Sequence, residues 1–172
     1  KPEVQIVSVS QMDWGKWCQC PRCRRLNRLE RRAGSWQSHC EIPAVLNFCN
    51  QIAERIADEF PHKKIMTLAY VQTWCAPQSL KAHPNVIVRY APIGLCYSHT
   101  VTGCATNAWI ASHLDEWQDH RATLFIWDYV VTFRHFIRPH PNWDVLKPNL
   151  LTYKRHGATG YFGQASYTPG AE

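Results

Sequence analysis

Short runs of apolar and β-branched residues alternate along this chain with longer segments of helical periodicity. Such runs predict strands, because a strand buried on both faces needs only a few consecutive apolar residues. We expect strands near residues 4–10, 65–71, 86–90, 123–128 and 159–162. Apolar residues at helical spacing predict helices near residues 24–32, 43–60, 106–119 and 144–156.

Residues that start or stop helices support these boundaries. Pro43 suits a first helical turn and Pro61 ends the same helix, whereas Asp144 is a suitable N-cap and Gly157 a suitable stop. The stretch between the second and third strands is too short and too interrupted by proline to predict a helix.

The order of elements is strand, helix, strand, strand, helix, strand, helix, strand. Strands that alternate with helices imply right-handed crossovers and a parallel sheet. Five strands are too few for a closed eightfold barrel, which needs roughly 250 residues. We therefore predict an α/β fold, a partial (β/α)8 TIM-type barrel of about five parallel strands. A complete small doubly wound domain is the alternative.

The composition indicates a single globular domain over residues 1–172, with 45% hydrophobic residues. The chain starts in a strand-like segment and ends just after another, so we expect an incomplete barrel truncated at both ends. Its localisation cannot be read from a leader sequence. No run reaches the roughly 18 to 20 apolar residues of a membrane span.

The net charge of +6 is partly concentrated in one arginine-rich segment, comprising Arg22, Arg24, Arg25, Arg28, Arg31 and Arg32. Such a cluster is typical either of a nucleic-acid contact or of a solvated helical face. We favour the solvated face, because no second basic patch accompanies it.

Polar and aromatic side chains follow every predicted strand. They are Asp13 and Trp14; Gln72 and Trp74; Arg89 and Tyr90; Trp127, Asp128 and Tyr129; and Gln164 and Tyr167. A parallel sheet would gather them at one edge, where such folds bind ligands. Rings with polar neighbours suit sugars, whose C–H faces pack on rings while their hydroxyls form hydrogen bonds. Alternatively, Trp127 and Tyr129 are core residues and Asp128 caps a turn.

Other chemistries lack their motifs. The sequence contains no glycine-rich phosphate loop and no Gly-x-Ser-x-Gly elbow, which argues against nucleotide chemistry and α/β-hydrolase catalysis.

Three of the eight cysteines crowd together in the motif Cys18-x-Cys20-x-x-Cys23. They could share a zinc ion with Cys40 or His39 as fourth ligand, form a disulfide, or simply pack. We favour a structural role over a zinc knuckle for nucleic acid, assign no metal or other cofactor, and expect a compact loop beside the strand ends. The other cysteines are scattered, which argues against a disulfide-built scaffold.

Several segments resemble a bacterial family first catalogued as domain of unknown function 4838. They are residues 7–14, 18–23, 67–70, 84–89, 126–131 and 141–142. Its characterised members form glycoside hydrolase family 163, endo-β-N-acetylglucosaminidases acting on N-glycans. The resemblance covers nearly the whole chain and implies a catalytic (β/α) barrel of which this chain holds a central part. It also implies a glycan partner, the rest of the barrel in a longer chain, and a secreted, periplasmic or cell-surface bacterial protein.

The chain departs from the family pattern at two strand-end glutamates, which are Gly94 and Gly163 here. Glycoside hydrolysis needs two carboxyl groups, or one acid and a group that polarises a substrate nucleophile. Asp13 and Asp128 remain as candidate catalytic residues, and the resemblance places His99 and His135 near the pocket, as sugar contacts or core histidines. We therefore expect a glycoside hydrolase-like domain with impaired catalysis. The alternatives are a non-catalytic carbohydrate-binding derivative and, less favoured, a zinc-stabilised basic module that binds nucleic acid. We do not expect contact with a membrane.

Overall fold

A sheet of five parallel strands forms the centre of the molecule. The computed structural model describes residues 3–13, 15–37, 39–136 and 138–165. The strands are β1 (Ile6–Ser8), β2 (Lys64–Ala69), β3 (Val86–Tyr90), β4 (Thr123–Tyr129) and β5 (Ala158–Gln164). All neighbouring pairs are parallel, so the predicted parallel sheet is confirmed.

The strands lie side by side in chain order, β1-β2-β3-β4-β5. A doubly wound sheet would reverse its strand order at a switch point, whereas a (β/α) barrel adds each new strand on the same side. The five strands form a curled half-barrel with intervening helices. This confirms the partial TIM-type barrel and removes the doubly wound alternative.

Helices cover the convex face of the sheet. They are α1 (Pro21–Leu29), α2 (Ile42–Ile56), α3 (Ala108–His120) and α4 (Trp143–Arg155), with 3-10 turns at Val71–Thr73 and Ala105–Asn107. Alternate strand residues such as Val88 and Ile126 pack against helix residues such as Leu46 and Leu114 in the buried core. The intervening strand residues therefore face the concave side. No helix in the described part of the chain has the length and apolar character needed to cross a membrane.

The β2–β3 connection has no α-helix, as the sequence indicated, and polar contacts hold it in place. The Glu30 carboxylate accepts hydrogen bonds from the backbone amides of Ser79 (2.7 Å) and Leu80 (2.8 Å). A disulfide joins Cys75, in this connection, to Cys40 ahead of α2. These contacts fix the connection without a packed helix.

Several element boundaries differ from the predictions for local reasons. Helix α1 begins at Pro21 rather than near residue 24, because the Sγ atom of Cys20 accepts the Cys23 amide and caps it. Strand β2 ends at Ala69 rather than Val71, because Val71 has a φ of +51° and leaves the extended conformation.

Strand β1 is shorter than predicted and lies at an edge of the sheet. Its three residues pair only with β2, and Ile6 and Val7 remain 37% and 47% exposed. Strand β5 pairs only with β4 and forms the other edge of the described sheet.

Candidate functional site

The carboxyl ends of the strands form one edge, and the predicted site residues that the structure describes lie along it or in the loops that follow. Trp14 and Tyr167 fall outside the described residues. Strand alternation divides the others between the concave face and the helix-covered face, so a shared edge does not place every side chain at one surface.

An aromatic surface lines the concave face at β4 and β5. The rings of Trp127 and Tyr129 are stacked, with centroids 6.4 Å apart, and Phe162 meets Trp127 edge-on at 5.0 Å. The Trp127 indole nitrogen donates a 2.7 Å hydrogen bond to the side-chain oxygen of Gln164. Because Trp127 and Gln164 lie on adjacent strands, this bond fixes the indole plane. We call Trp127, Tyr129 and Phe162 the ring surface.

Arg89 brings a positive charge to the ring surface from β3. Its guanidinium carbon lies 5.5 Å from the Trp127 ring centroid and 5.8 Å from that of Phe162, a cation–π arrangement. Burial lowers the pKa of Arg89, although arginine remains charged at neutral pH. Its Nε is buried and has no hydrogen-bond partner among the described residues. A buried donor without a partner is uncommon in a folded protein, and here it lies beside the ring surface.

Tyr129 connects the ring surface to a cavity at the ends of β1 and β2. Its side chain is hydrogen-bonded to Tyr70, and the nearby Asp13 carboxylate acts on both phenols. Burial, followed by the neighbouring phenols and Asp13, raises the pKa of Tyr129 far above its ordinary value. Asp13, Tyr70 and Val71 line the cavity, which measures about 320 Å³. This corner therefore offers an exposed carboxylate and two neutral phenols.

Asp128 lies behind the ring surface. Its side chain is 4% exposed, accepts the Tyr129 amide at 2.9 Å, and accepts the Tyr161 hydroxyl at 3.1 Å. Burial raises its pKa to about 6, against the lowering effect of these two bonds. Tyr97 and Tyr153 also lie close enough for the Asp128 charge to raise their pKa values. The group is therefore a buried carboxyl that holds its proton to a higher pH than an ordinary aspartate.

The two glycines at which the sequence analysis expects family glutamates, Gly94 and Gly163, have different backbones. Gly94 is exposed, has a φ of +88°, and has open space around an added Cβ. Gly163 pairs with Asp128 across β4 and β5, and an added Cβ would lie 3.3 Å from the Tyr161 ring. A side chain at Gly163 thus needs a small shift of Tyr161, whereas one at Gly94 is strained by the backbone itself.

Two predicted binding residues pack in the helix layer instead. Tyr90 is fully buried, and its hydroxyl lies 3.3 Å from Nδ1 of His113. The Trp74 ring packs against Trp109 at 4.6 Å, and its nitrogen donates to the Ala91 carbonyl. Neither ring belongs to the ring surface.

The two predicted histidines lie in loops. His135 is exposed in the loop after β4, where its amide donates to the Thr132 carbonyl. His99 is exposed in the loop after β3, with Nδ1 3.2 Å from the Sγ atom of Cys96. His99 is thus grouped with a cysteine and not with the rings.

The first cysteine cluster is compact, as predicted. The sulfurs of Cys18, Cys20 and Cys23 lie within 4.8 Å of one another. The pKa of the Cys20 thiol is lowered to about 7, mainly by the hydrogen bond from the Cys23 amide. The pKa of the Cys23 thiol is raised to about 11, mainly by its side-chain hydrogen bond to Cys20. Cys18 and Cys23 line a cavity of about 370 Å³ with Val9 of the segment after β1 and Phe48 of α2. The sulfurs could hold a soft metal ion, and a structural role fits them equally.

The arginine-rich segment is solvated, with no buried residue in α1. Arg24, Arg28 and Arg31 line an open cavity of about 570 Å³, and Arg32 pairs with Asp119 at 3.0 Å. This matches the favoured prediction of a solvated basic face.

Two residues of the site were missed from the sequence, Tyr70 and Phe162. Tyr70 was not identified because the predicted strand runs to residue 71 instead of ending at Ala69, so Gln72 and Trp74 were assigned to the end of the strand. Phe162 was placed at the end of β5, whereas the strand continues to Gln164 and alternation turns both side chains to the concave face. Stricter use of the two-residue period would have identified Phe162.

The fold defines the class of protein: a singly wound α/β half-barrel of five parallel strands in the described part of the chain. The family described as Domain of unknown function (DUF4838) matches residues 1–172, and the chain belongs to this family. No curated protein and no solved structure matches the chain significantly.

Proposed function

We propose that this chain is a glycoside hydrolase-like domain of the bacterial family 163 type, which binds glycans containing N-acetylglucosamine but hydrolyses them poorly. The ring surface carries the proposal, because Trp127 is half-buried on the concave face and is fixed by its bond to Gln164. Flat, oriented rings beside polar groups are what a sugar requires. The resemblance to the hydrolase family supplies the class of glycan.

The concave face offers complementary contacts to a sugar. A pyranose can place its C–H face on Trp127 while its hydroxyl or acetamide oxygen lies near the positive charge of the half-buried Arg89. The phenols of Tyr70 and Tyr129 and the Asp13 carboxylate lie next to this position and can bond to further hydroxyls.

The same face is poorly equipped for hydrolysis. Asp13 is exposed, whereas Asp128 is sealed behind the ring surface and already bonded to Tyr161. At Gly94 and Gly163 no side chain can donate a proton or stabilise an oxocarbenium-like charge. Loss of a general acid or base typically slows a reaction by about 10²- to 10⁴-fold.

Binding is tested with a chitobiose-core N-glycan and three proteins, the unaltered chain, Trp127→Ala and Trp143→Ala. Trp143 is 80% exposed on α4 and serves as a matched tryptophan control away from the concave face. A ring contact is worth about 0.5–1.5 kcal/mol beyond area burial, so calorimetry should show an affinity loss of about two- to twelvefold for Trp127→Ala. Equal affinities for all three proteins, or no binding by the unaltered chain, would contradict the proposal.

Hydrolysis is tested in the longer natural chain by release of the N-glycan. Gly163→Glu and the double change Gly94→Glu with Gly163→Glu are compared with Gly163→Gln, which has the size of glutamate but no acid. We expect slow release by the unaltered protein and a gain with glutamate but not with glutamine. Fast release by the unaltered protein would contradict the impairment. No gain despite intact binding would favour the non-catalytic carbohydrate-binding derivative.

We further propose that the rest of the barrel lies in a longer chain exported from the cytoplasm. The open edges at β1 and β5 support the first point, because barrel closure removes such edges. The Cys40–Cys75 disulfide supports the second, since disulfides persist in oxidising compartments.

A further inference from the structure

The loop after β3 brings two thiols and an imidazole together. The Sγ atoms of Cys96 and Cys104 and a ring nitrogen of His99 all lie within 4.8 Å of one another. Nδ1 of His99 is 3.2 Å from the Cys96 sulfur. Three donors from residues up to eight positions apart therefore converge on one point.

Their spacing matches a tetrahedral zinc site. Zinc binds sulfur at about 2.3 Å and imidazole nitrogen at about 2.0–2.1 Å, which in a tetrahedron puts neighbouring donors about 3.3–3.8 Å apart. The separation of 3.2 Å between Cys96 Sγ and His99 Nδ1 needs a slight expansion to reach this range. The other separations are at most 4.8 Å and need a contraction of at most about 1 Å. Two thiolates with one imidazole are a soft to borderline donor set, which favours zinc over magnesium or calcium.

A buried asparagine holds the loop in this shape. Asn107 is fully buried, and its side-chain oxygen accepts the Cys96 amide at 2.7 Å. Its side-chain nitrogen donates to the carbonyls of Cys96 and Thr100, at 3.1 and 3.3 Å. Asn149 of α4 accepts the Val101 amide at 2.9 Å. The ligand-bearing backbone is thus organised without an ion, which lowers the entropy cost of binding one.

Access to the donors is open on one side. His99 is exposed, and Cys96 and Cys104 are half-buried. Three protein ligands with solvent access are the arrangement that leaves a fourth zinc position for water or another small ligand.

We propose that Cys96, His99 and Cys104 bind one zinc ion, with solvent in the fourth position. Each thiol releases one proton to solvent as its sulfur binds, and His99 binds as neutral imidazole through Nδ1. The site is separate from the cluster of Cys18, Cys20 and Cys23 and does not depend on the glycan proposal.

The site also adjoins the candidate binding edge. Tyr97, between two of the ligands, packs against His140 at 4.5 Å and lies close enough to Asp128 for that charge to act on its phenol. The ion would therefore brace the loop that covers the buried carboxyl.

The test is titration of the full chain with cobalt and with zinc under a mild phosphine reductant. Cys18, Cys20 and Cys23 are all replaced by serine, so that the first cluster cannot contribute; serine at position 20 still caps α1. We expect one equivalent of cobalt, with tetrahedral absorption and a thiolate-to-metal charge-transfer band, displaced by one equivalent of zinc.

The decisive variant in this background is His99→Ala, with His62→Ala as the matched control. Both histidines are exposed, so neither change should unfold the chain. Loss of an outer-shell partner alone costs roughly 10–100-fold in metal affinity, so loss of His99 should cost at least that much, while His62→Ala binds as before. The proposal would be overturned if His99→Ala bound the metal with unchanged affinity, or if the reduced parent bound none. It would also be overturned if peptide maps showed a Cys96–Cys104 disulfide and the protein took up no metal after that bond was reduced.

Discussion

Asp128 is a carboxyl group whose ionisation is opposed by its surroundings. It is buried among phenols, and its two hydrogen bonds only partly offset the cost of burial. The pKa near 6 means that the folded chain binds this proton more tightly than the unfolded chain, whose aspartates titrate near 3.8. Asp128 therefore contributes to the free energy of unfolding at low pH, and this contribution is lost as the pH rises.

We predict a corresponding pH dependence of unfolding. The contribution of Asp128 should fall by about 2 kcal/mol between pH 4 and pH 6, out of about 3 kcal/mol over the whole titration, since one pKa unit is 1.36 kcal/mol. Asp128→Asn keeps both hydrogen-bonding positions without the charge, so it should gain stability relative to the unaltered chain as the pH rises. Urea unfolding at pH 4 and pH 7 measures the difference. Asp58→Asn, which changes an exposed aspartate, is the control. If the free energy of unfolding depended on pH equally in Asp128→Asn and in the unaltered chain, the expected effect of burial would be contradicted.

Val71 is a strained residue in the wall of the candidate cavity. Its φ of +51° is unfavourable for a β-branched side chain and costs of order 1–3 kcal/mol. We predict that Val71→Gly raises the free energy of unfolding by about 1 kcal/mol, after the extra entropy of unfolded glycine is subtracted. Val71→Ala retains a Cβ and should not stabilise. Chemical denaturation checks both variants, and destabilisation by glycine would show that Val71 contributes more through packing than it costs in strain.

At the scale of elements, patterns confined to one segment were predictable, and contacts between segments were not. The bounds of β3 were predicted correctly, because its Val-Ile-Val run is bounded by turn residues on one side and polar residues on the other. The early start of α1 depends on a sulfur cap, and the end of β2 depends on a positive φ, neither of which periodicity reveals.

Glu30, at the end of α1, leads to a prediction about the connection between β2 and β3. Burial alone would raise the pKa of Glu30, but hydrogen bonds from Leu80 and Ser79 hold it below the usual value. Its stabilising effect is therefore present at neutral pH and is lost as the pH falls through that lowered pKa. Hydrogen bonds to charged groups contribute about 1.5–3 kcal/mol, so Glu30→Ala should cost about 2 kcal/mol at pH 7 by urea unfolding.

A matched variant separates this effect from general loss of charge. Glu59→Ala, at an exposed glutamate after α2, should leave the free energy of unfolding nearly unchanged. Equal effects of the two substitutions would show that Glu30 does not anchor the connection.

For the whole molecule, the sheet topology was predictable but the division of its edge into two faces was not. Alternating strands and helices indicated one edge for all the strand ends, which is what the structure shows. Whether an individual ring faces the concave side or the helix side of the sheet depends on register, and a one-residue error reverses it. This is why Trp127 joined the ring surface while Tyr90 entered the core. The cluster of Cys96, His99 and Cys104 was not predicted, because the loop that brings them together is held by Asn107 and Asn149, which lie outside it in the sequence.

The open half-barrel predicts self-association of the isolated chain. Apolar side chains remain exposed at both sides of the described sheet, including Val7 (47%) on β1 and Leu151 (48%) on α4. Edge strands with such neighbours pair readily with other chains. Sedimentation of residues 1–172 should show association that increases with concentration, and Val7→Lys with Leu151→Lys should weaken it. A monomer at all concentrations would contradict this expectation.

The backbone at Gly94 has a consequence for engineering. With φ at +88°, the chain adopts a conformation that only glycine tolerates well, so any side chain introduced there meets a conformational barrier. Gly163 has no positive φ, and a side chain there needs only a small movement of Tyr161. The two positions therefore differ as places for a new carboxyl group: position 163 accepts one beside Asp128 in a single substitution, whereas position 94 first requires a change in the backbone of its loop.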